Sequence, residues 1–162
     1  MEFAIRPARD EDADAISAVV IRTLRETNAK QYTKEIIERI ERSFSPNAVL
    51  ALLGKRTVFV AVMDRRIVGT AGLDGNIVRT VFVSPDVQAR GIGQRLMAEV
   101  ERTARERKLP LLTVFSSIGA EAFYAQLGFN AVRDNFHGEE RTIVMARSLA
   151  DAEVGATPPP NR

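Results

Sequence analysis

The chain has 162 residues, 45% of them apolar and 27% charged, which is the size and mix of one ordinary globular domain with a real core. It has no cysteine, which excludes a disulfide framework, a thiolate metal site and a cysteine nucleophile together. Its 23 basic and 21 acidic residues are interspersed and leave a net charge of +2, so no basic stripe argues for nucleic acid despite a pI near 9.3.

In chain order, the start, Met1-Glu-Phe-Ala-Ile-Arg-Pro, lacks the basic-then-apolar order of a signal peptide. No apolar run approaches the ~18 residues of a membrane helix, so no membrane role and a cytoplasmic location are expected. Phe3 to Ala8 reads as a short strand closed by Pro7. Asp10 to Asp14 supply acids suited to a helix N-terminus, and Ile16, Val20 and Leu24, with Val19 beside them, form one helical stripe. A second helix begins near Thr33 and carries Ile36, Ile37, Ile40 and Phe44 inward. Ser45-Pro46 then reads as a cap with proline at the first helical position, opening a short helix through Leu53.

Thr57 to Met63 reads as a buried strand, Asp64-Arg65-Arg66 as a polar turn, and Ile67 to Leu73 as its partner. Asp74-Gly75 is a hairpin signal, followed by a strand from Asn76 to Val83 that stops at Ser84-Pro85. Gly91 to about Lys108 has a helical stripe of Ile92, Leu96, Val100 and Ala104. A strand over Leu111 to Phe115 and a helix over Ile118 to Leu127 follow. Phe129 to Arg133 and Arg141 to Ser148 read as a last strand pair. The pattern predicts one domain over residues 1–149 and a disordered Gly/Ala/Pro tail over 150–162. Hairpins and helical crossovers together predict an α/β fold, a mixed and mostly antiparallel sheet with helices on both faces.

The most informative segment is Val81-Phe-Val-Ser-Pro-Asp-Val-Gln-Ala-Arg-Gly-Ile-Gly-Gln-Arg-Leu96, where a strand, a polar loop and two glycines lead into an amphipathic helix. Gly91 and Gly93 leave main-chain N–H groups bare at the first helical turn, where the positive end of the helix dipole suits a pyrophosphate. Arg90 and Arg95 add positive charge. A tight turn that needs small residues only for packing is the plain alternative. A Walker loop would need Gly-Lys-Ser/Thr where Gly93-Gln94-Arg95 stands, and a dinucleotide fingerprint would need a third glycine where Leu96 stands.

Gln88-Ala-Arg-Gly-Ile-Gly93 resembles the Gln/Arg-x-x-Gly-x-Gly/Ala signature of the GNAT N-acetyltransferase superfamily. Ser117-Ile-Gly-Ala-Glu-Ala-Phe-Tyr-Ala-Gln-Leu-Gly-Phe129 resembles its second signature, Asn-x-x-Ala-x-x-Phe-Tyr-x-x-x-Gly-Phe. The element order from Phe3 to Leu149 is similar too. The resemblance implies an acetyl-coenzyme A-dependent N-acetyltransferase acting on a primary amine of a small molecule or a protein, by direct attack in a ternary complex. It also admits an acyl-coenzyme A sensor without turnover.

The resemblance further implies that the backbone of Gln88, Ala89, Arg90, Gly91, Ile92, Gly93, Gln94 and Arg95 holds the coenzyme diphosphate. Val81, Phe82 and Val83 would pair their main chain with the pantetheine arm, a form of strand addition. Tyr124 falls where relatives carry the tyrosine that protonates the leaving thiolate, and a phenol suits that task. Ser117 stands where an asparagine is usual; it is expected to cap the helix, or to touch the coenzyme. Dimers are common among similar proteins. No metal is implied.

A lysine-like amine costs about 4–5 kcal/mol to deprotonate at pH 7, so a base or a water relay is expected. Relatives place an acid on the strand before the pantetheine residues, but Ile77, Val78, Arg79 and Thr80 stand there, so the base is unassigned. Asp74, in the hairpin turn, and His137, in the polar connection Asn135-Phe-His-Gly-Glu-Glu140, are the substrate-side candidates. Glu139 and Glu140 read as solvated loop charges. Arg79, a guanidinium among Ile77, Val78, Val81 and Phe82, is expected to be paired. It either meets a carboxylate or phosphate on the acceptor, or pairs with a group such as Asp74. The acceptor wall is expected from about Leu24 to Phe44 and Asn135 to Arg141, with the polar run Arg25 to Thr33 in reach.

Overall fold

The computed structural model describes residues 2–28, 32–138 and 140–149. The expected tail over 150–162, Glu139 and the middle of the polar run after Asn28 lie outside the described residues. Among the described residues, seven strands and five α-helices make up an α/β fold. They are β1 (Ala4–Pro7), α1 (Ala13–Thr23), α2 (Lys34–Ser43), α3 (Pro46–Leu53), β2 (Thr57–Met63), β3 (Arg66–Asp74), β4 (Ile77–Val83), α4 (Ile92–Glu106), β5 (Leu111–Ser116), α5 (Glu121–Gln126), β6 (Asn130–His137) and β7 (Glu140–Ser148). Packing divides the chain into two compact units, Met1–Val100 and Glu101–Arg162. No helix among the described residues is long and apolar enough to cross a membrane.

In the first unit, β1 to β4 run side by side and antiparallel. Two-residue turns set the registers. Asp64 and Arg65, with φ of 53° and 65°, join Met63 to its partner Arg66, and Gly75, with φ of 60°, lies in the turn that joins Asp74 to Ile77. Such turns need left-handed residues to match strand twist, which favours glycine.

The stripe of Ile16, Val20 and Leu24 is buried with Ala13 and packs against Val49 of α3 and Val60 of β2. Ser45 Oγ accepts from the Ala48 amide at 3.3 Å and Thr33 Oγ1 from the Ile36 amide at 3.2 Å, so both predicted caps form. At the start of α1, Asp12 Oδ2 accepts from the Arg9 amide at 2.7 Å, and Arg6 donates to both Asp12 oxygens at 2.8 and 3.1 Å. The Arg6 hydrogen bonds are the main reason that the Asp12 carboxyl lies below its ordinary pKa.

Helices cover both faces of this four-stranded sheet. A Cβ at Gly69 would come within 3.1 Å of Leu96 Cδ1 and 3.4 Å of Ile92 Cγ2, so α4 packs directly on β3 there. Thr70, the next residue and therefore on the opposite face, lines a cavity beneath α1 and α3. Beyond α1 the chain widens into a π-turn over Leu24–Asn28, and Arg25 ties it to α2 through Glu41 at 2.5 and 3.1 Å.

In the second unit, β7 lies between β5 and β6, antiparallel to both. Leu112, Val114, Ile143, Val144, Met145, Phe129 and Leu149 are buried. Glu101 accepts from Arg105 at 2.8 Å and also from Arg147, which joins the end of α4 to β7.

Two expectations need correction here. The segment from Ile118 to Leu127 is not one helix. A 3₁₀ turn, Ile118–Ala120, comes first, closed by the Ala120 amide on the Ser117 carbonyl at 3.1 Å. Ser117 makes no side-chain cap, because its main-chain carbonyl is what closes the turn, and Ala120 holds the N-cap position of α5. Likewise, β6 does not stop at Arg133. A bulge between Ala131 and Arg133 keeps it in register with β7, so Asn135 faces Thr142, Phe136 faces Arg141 and His137 faces Glu140. What looked like a polar connection is mostly strand.

Candidate functional site

The loop that follows β4 is pinned before it reaches the glycines. The Ser84 amide donates to the Val68 carbonyl at 2.7 Å, and the Val87 amide to the Ser84 carbonyl at 3.1 Å. The Ser84 hydroxyl donates to Asp86, and Arg66 Nη2 reaches the same carboxylate at 3.0 Å. Those two bonds, the Ser84 one first, hold the Asp86 carboxyl down at about 2. Gln88 Nε2 then donates to the Val83 carbonyl at 2.9 Å, folding the side chain back onto the strand end.

From this anchor the backbone makes a left-handed residue at Ala89 (φ 66°) and another at Gly91 (φ 84°). The first bond of the α4 ladder runs from the Arg95 amide to the Gly91 carbonyl at 3.0 Å. Amides ahead of Arg95 therefore lie outside the ladder, and a helix start leaves such groups for an anion. A Cβ added at Gly91 would meet nothing within 4 Å except Gln94 Oε1 at 3.8 Å, so the space over the turn is open. Ile92 and Leu96 are buried and anchor the helix, while Gln88, Ala89, Arg90, Gln94 and Arg95 are exposed. This arrangement fits a diphosphate: fixed left-handed backbone, outward amides and a cationic rim. Arg95 is partly committed elsewhere, with its guanidinium 5.3 Å from the ring centre of Phe3.

Val81, Phe82 and Val83 are half-buried at the end of β4. Phe82 packs against the α1 core and meets Phe44 edge-on at 6.4 Å, so its side chain serves the core and its main chain pairs with Thr70. Thr80 has φ of 55°, and the β3–β4 register shifts between Thr70 and Gly72. A threonine in that region is a genuine outlier among L-residues, and nothing in the sequence signals it.

Arg79 lies opposite Gly72, and Arg56 donates from Nη1 to Thr80 Oγ1 at 3.3 Å while its Nε lies 3.8 Å from Asp74 Oδ2. Arg56 is a residue that sequence reasoning missed. A single arginine ahead of a strand carries no pattern, and only the hairpin brings it to Thr80. Burial is the main reason its guanidinium falls below the ordinary arginine value; the Arg79 charge acts the same way, and Asp74 opposes both. Asp74, half-exposed, is thus an ion partner of Arg56 as well as a hairpin residue.

In the second unit Tyr124 is buried on α5, edge-on to Phe123 at 5.0 Å and to Phe129 at 5.6 Å. Burial pushes its phenol up, so the hydroxyl keeps its proton throughout the physiological range. Ser117 is half-buried in the turn ahead of α5. His137 is exposed at the end of β6, across from Glu140.

A family model described as an acetyltransferase (GNAT) domain matches residues 25–146. Among curated proteins, the Escherichia coli peptidyl-lysine N-acetyltransferase YjaB is 30% identical over 135 residues, covering 80% of this chain and 83% of that one. A 76-residue stretch is 30% identical to the citrate (pro-3S)-lyase ligase of the same organism, and there the match spans only 22% of the relative's length. Among solved structures, a GCN5-related N-acetyltransferase from Rhodopseudomonas palustris is 28% identical with a TM-score of 0.85, over 92% of this chain and 97% of that one. The PaiA N-acetyltransferase from Thermoplasma acidophilum, solved with coenzyme A, is similar in fold at 20% identity and a TM-score of 0.79, over 91% and 99%.

Proposed function

The chain belongs to the GNAT family of acetyltransferases, and on that premise we propose that it moves an acetyl group from acetyl-coenzyme A to a primary amine of a small molecule or protein. The observation that carries the proposal is the turn at Ala89–Gly91, with two left-handed residues ahead of a helix whose first internal bond starts only at Arg95. Backbone amides from Gln88 to Arg95 would hold the diphosphate, with Arg90 as its cationic neighbour and Arg95 close by. The main chain of Val81 to Val83 would align the pantetheine arm as an added strand would. Ser117 is the residue of the second signature that would touch the coenzyme.

Acetyl-coenzyme A, when bound, supplies the activated acetyl group. The acceptor amine attacks its carbonyl directly, in a ternary complex. Tyr124, kept protonated by burial, is the group we assign to donate a proton to the departing sulfur. None of Ile77, Val78, Arg79 and Thr80 is a base, so the amine must arrive neutral or lose its proton to water or to a group outside β4.

Calorimetry with coenzyme A tests the first step, and thiol release from acetyl-coenzyme A across a panel of amines tests the second. Heat with thiol release is the expected result. Absence of heat overturns the assignment, and heat without release for any amine reduces the protein to an acyl-coenzyme A sensor.

A further inference from the structure

Strand β4 presents two successive residues to one face of the sheet. Thr80 lines the cavity beneath α1 and α3, and Arg79 lies directly across from Gly72, which lines the same cavity. Residues directly opposite in an antiparallel pair share a face, and the irregularity at Thr80 allows both neighbours to do so. The cavity is small, about 20 Å³, and its wall is almost wholly apolar, with Ile16, Phe44, Val49, Leu53 and Val58 among its lining. Arg56 stands at its edge with a side chain only 18% exposed.

The charges there do not balance. Arg56 feels one other guanidinium, Arg79, and one carboxylate, Asp74. That carboxylate is itself half-exposed and 3.8 Å from Arg56 Nε. Two cations and one anion leave an excess of one positive charge beside an apolar wall, where water screens it poorly. Thr80 and Asp74 take up Nη1 and Nε of Arg56, whereas a guanidinium offers five N–H donors in a planar fork.

We propose that Arg56 and Arg79 clamp a carboxylate on the acceptor, so that the acceptor is an amino carboxylate with a short aliphatic group seated in the adjoining cavity. This rests on the acetyltransferase reading and narrows its acceptor. A carboxylate brings one negative charge, which matches the excess, whereas a phosphate dianion overshoots it. The cavity has room for little more than a methyl group or two, which selects against an aromatic side chain.

The test uses the full chain with acetyl-coenzyme A and follows thiol release with alanine, 2-aminobutyrate and β-alanine, the primary amide of each, phenylalanine, and phosphoethanolamine. The acids should exceed their amides in kcat/KM by about ten-fold or more, the scale of one charge-assisted pair, and should exceed phenylalanine too. Arg56→Gln and Arg79→Gln should each erase the acid-over-amide ratio, leaving amide turnover and coenzyme A binding within about two-fold. Asp74→Asn should raise the ratio, because it removes the competing anion; a merely structural Asp74 would not. Equal use of acids and amides, preference for phosphoethanolamine, or an unchanged ratio in either arginine variant overturns the clamp. So does rejection of every acid by a protein that still binds coenzyme A. If a Gln variant fails to fold, the Asp74→Asn ratio decides alone. Loss of coenzyme A binding in the unmodified protein is a different failure, because it removes the acetyltransferase reading and the clamp with it.

Discussion

Replacing Gly91 with alanine is the most direct probe of the turn. Gly91 sits at φ 84°, and an added Cβ would touch only Gln94 Oε1 at 3.8 Å, so the substitution meets no steric wall. Its effect is therefore conformational. Holding an L-residue left-handed costs about 1–2 kcal/mol, and alanine recovers about 0.4–1 kcal/mol through a less flexible unfolded chain if the conformation suits it. The conformation does not suit it, so a net loss of about 1 kcal/mol is expected, or a fall of about 2–4 °C in Tm for a domain of this size. A turn that relaxes in the free protein must be restored on binding, which weakens coenzyme A by roughly five-fold per kcal/mol. Ala89→Gly should act in the opposite direction, because Ala89 already stands at φ 66°. Urea unfolding and calorimetry with coenzyme A read the two effects separately. Gly91→Ala that matches the unmodified protein in both would refute the reasoning. Lost stability with unaltered binding would retain the geometry and reject the anion cradle.

Tyr124→Phe should lower kcat by about 100-fold while coenzyme A binding stays within a few-fold, since the ring packing against Phe123 and Phe129 survives; a loss confined to binding would argue for a packing residue. Gly69→Ala should destabilise by about 1–3 kcal/mol, because its Cβ would press on Leu96 at 3.1 Å and on the Phe82 carbonyl at 3.2 Å, and an unchanged urea midpoint would contradict that contact. Asp12→Asn should cost about 1.5–3 kcal/mol at pH 7 through the Arg6 pair and the Arg9 amide. The Asp12 pKa is depressed, so its stabilisation is fully present above the unfolded value near 4 and disappears as pH falls through the lower folded value. The difference between Asp12→Asn and the unmodified protein should accordingly shrink below about pH 4, and a gap that persists into strong acid would exclude the ion pair as its source.

Much of the architecture could be read in advance because its signals are local. The stripe Ile16, Val20 and Leu24, the caps Thr33 and Ser45, and the hairpin residues Asp74-Gly75 depend on neighbours a few positions away. Gln88 to Gly93 and Ser117 to Phe129 carried the family in the same way, through residue types at fixed spacing. Where the reading failed, the deciding partner was distant. Strand β6 reached His137 because β7 offered a ladder that far, and Ser117 left its side chain out of the cap because its own carbonyl closed the turn. No pattern in the chain distinguishes Thr80 as left-handed or links Arg56, 24 positions away, to its hydroxyl.

Sequence alone determined the element types, their order and the glycine turn, since periodicity, caps and small residues act within one or two turns of chain. Tertiary structure decided which face Arg79 shares, which charge stands beside it and how much room adjoins them. Those are properties of strand register and of burial in low dielectric, and both exist only once distant segments have met.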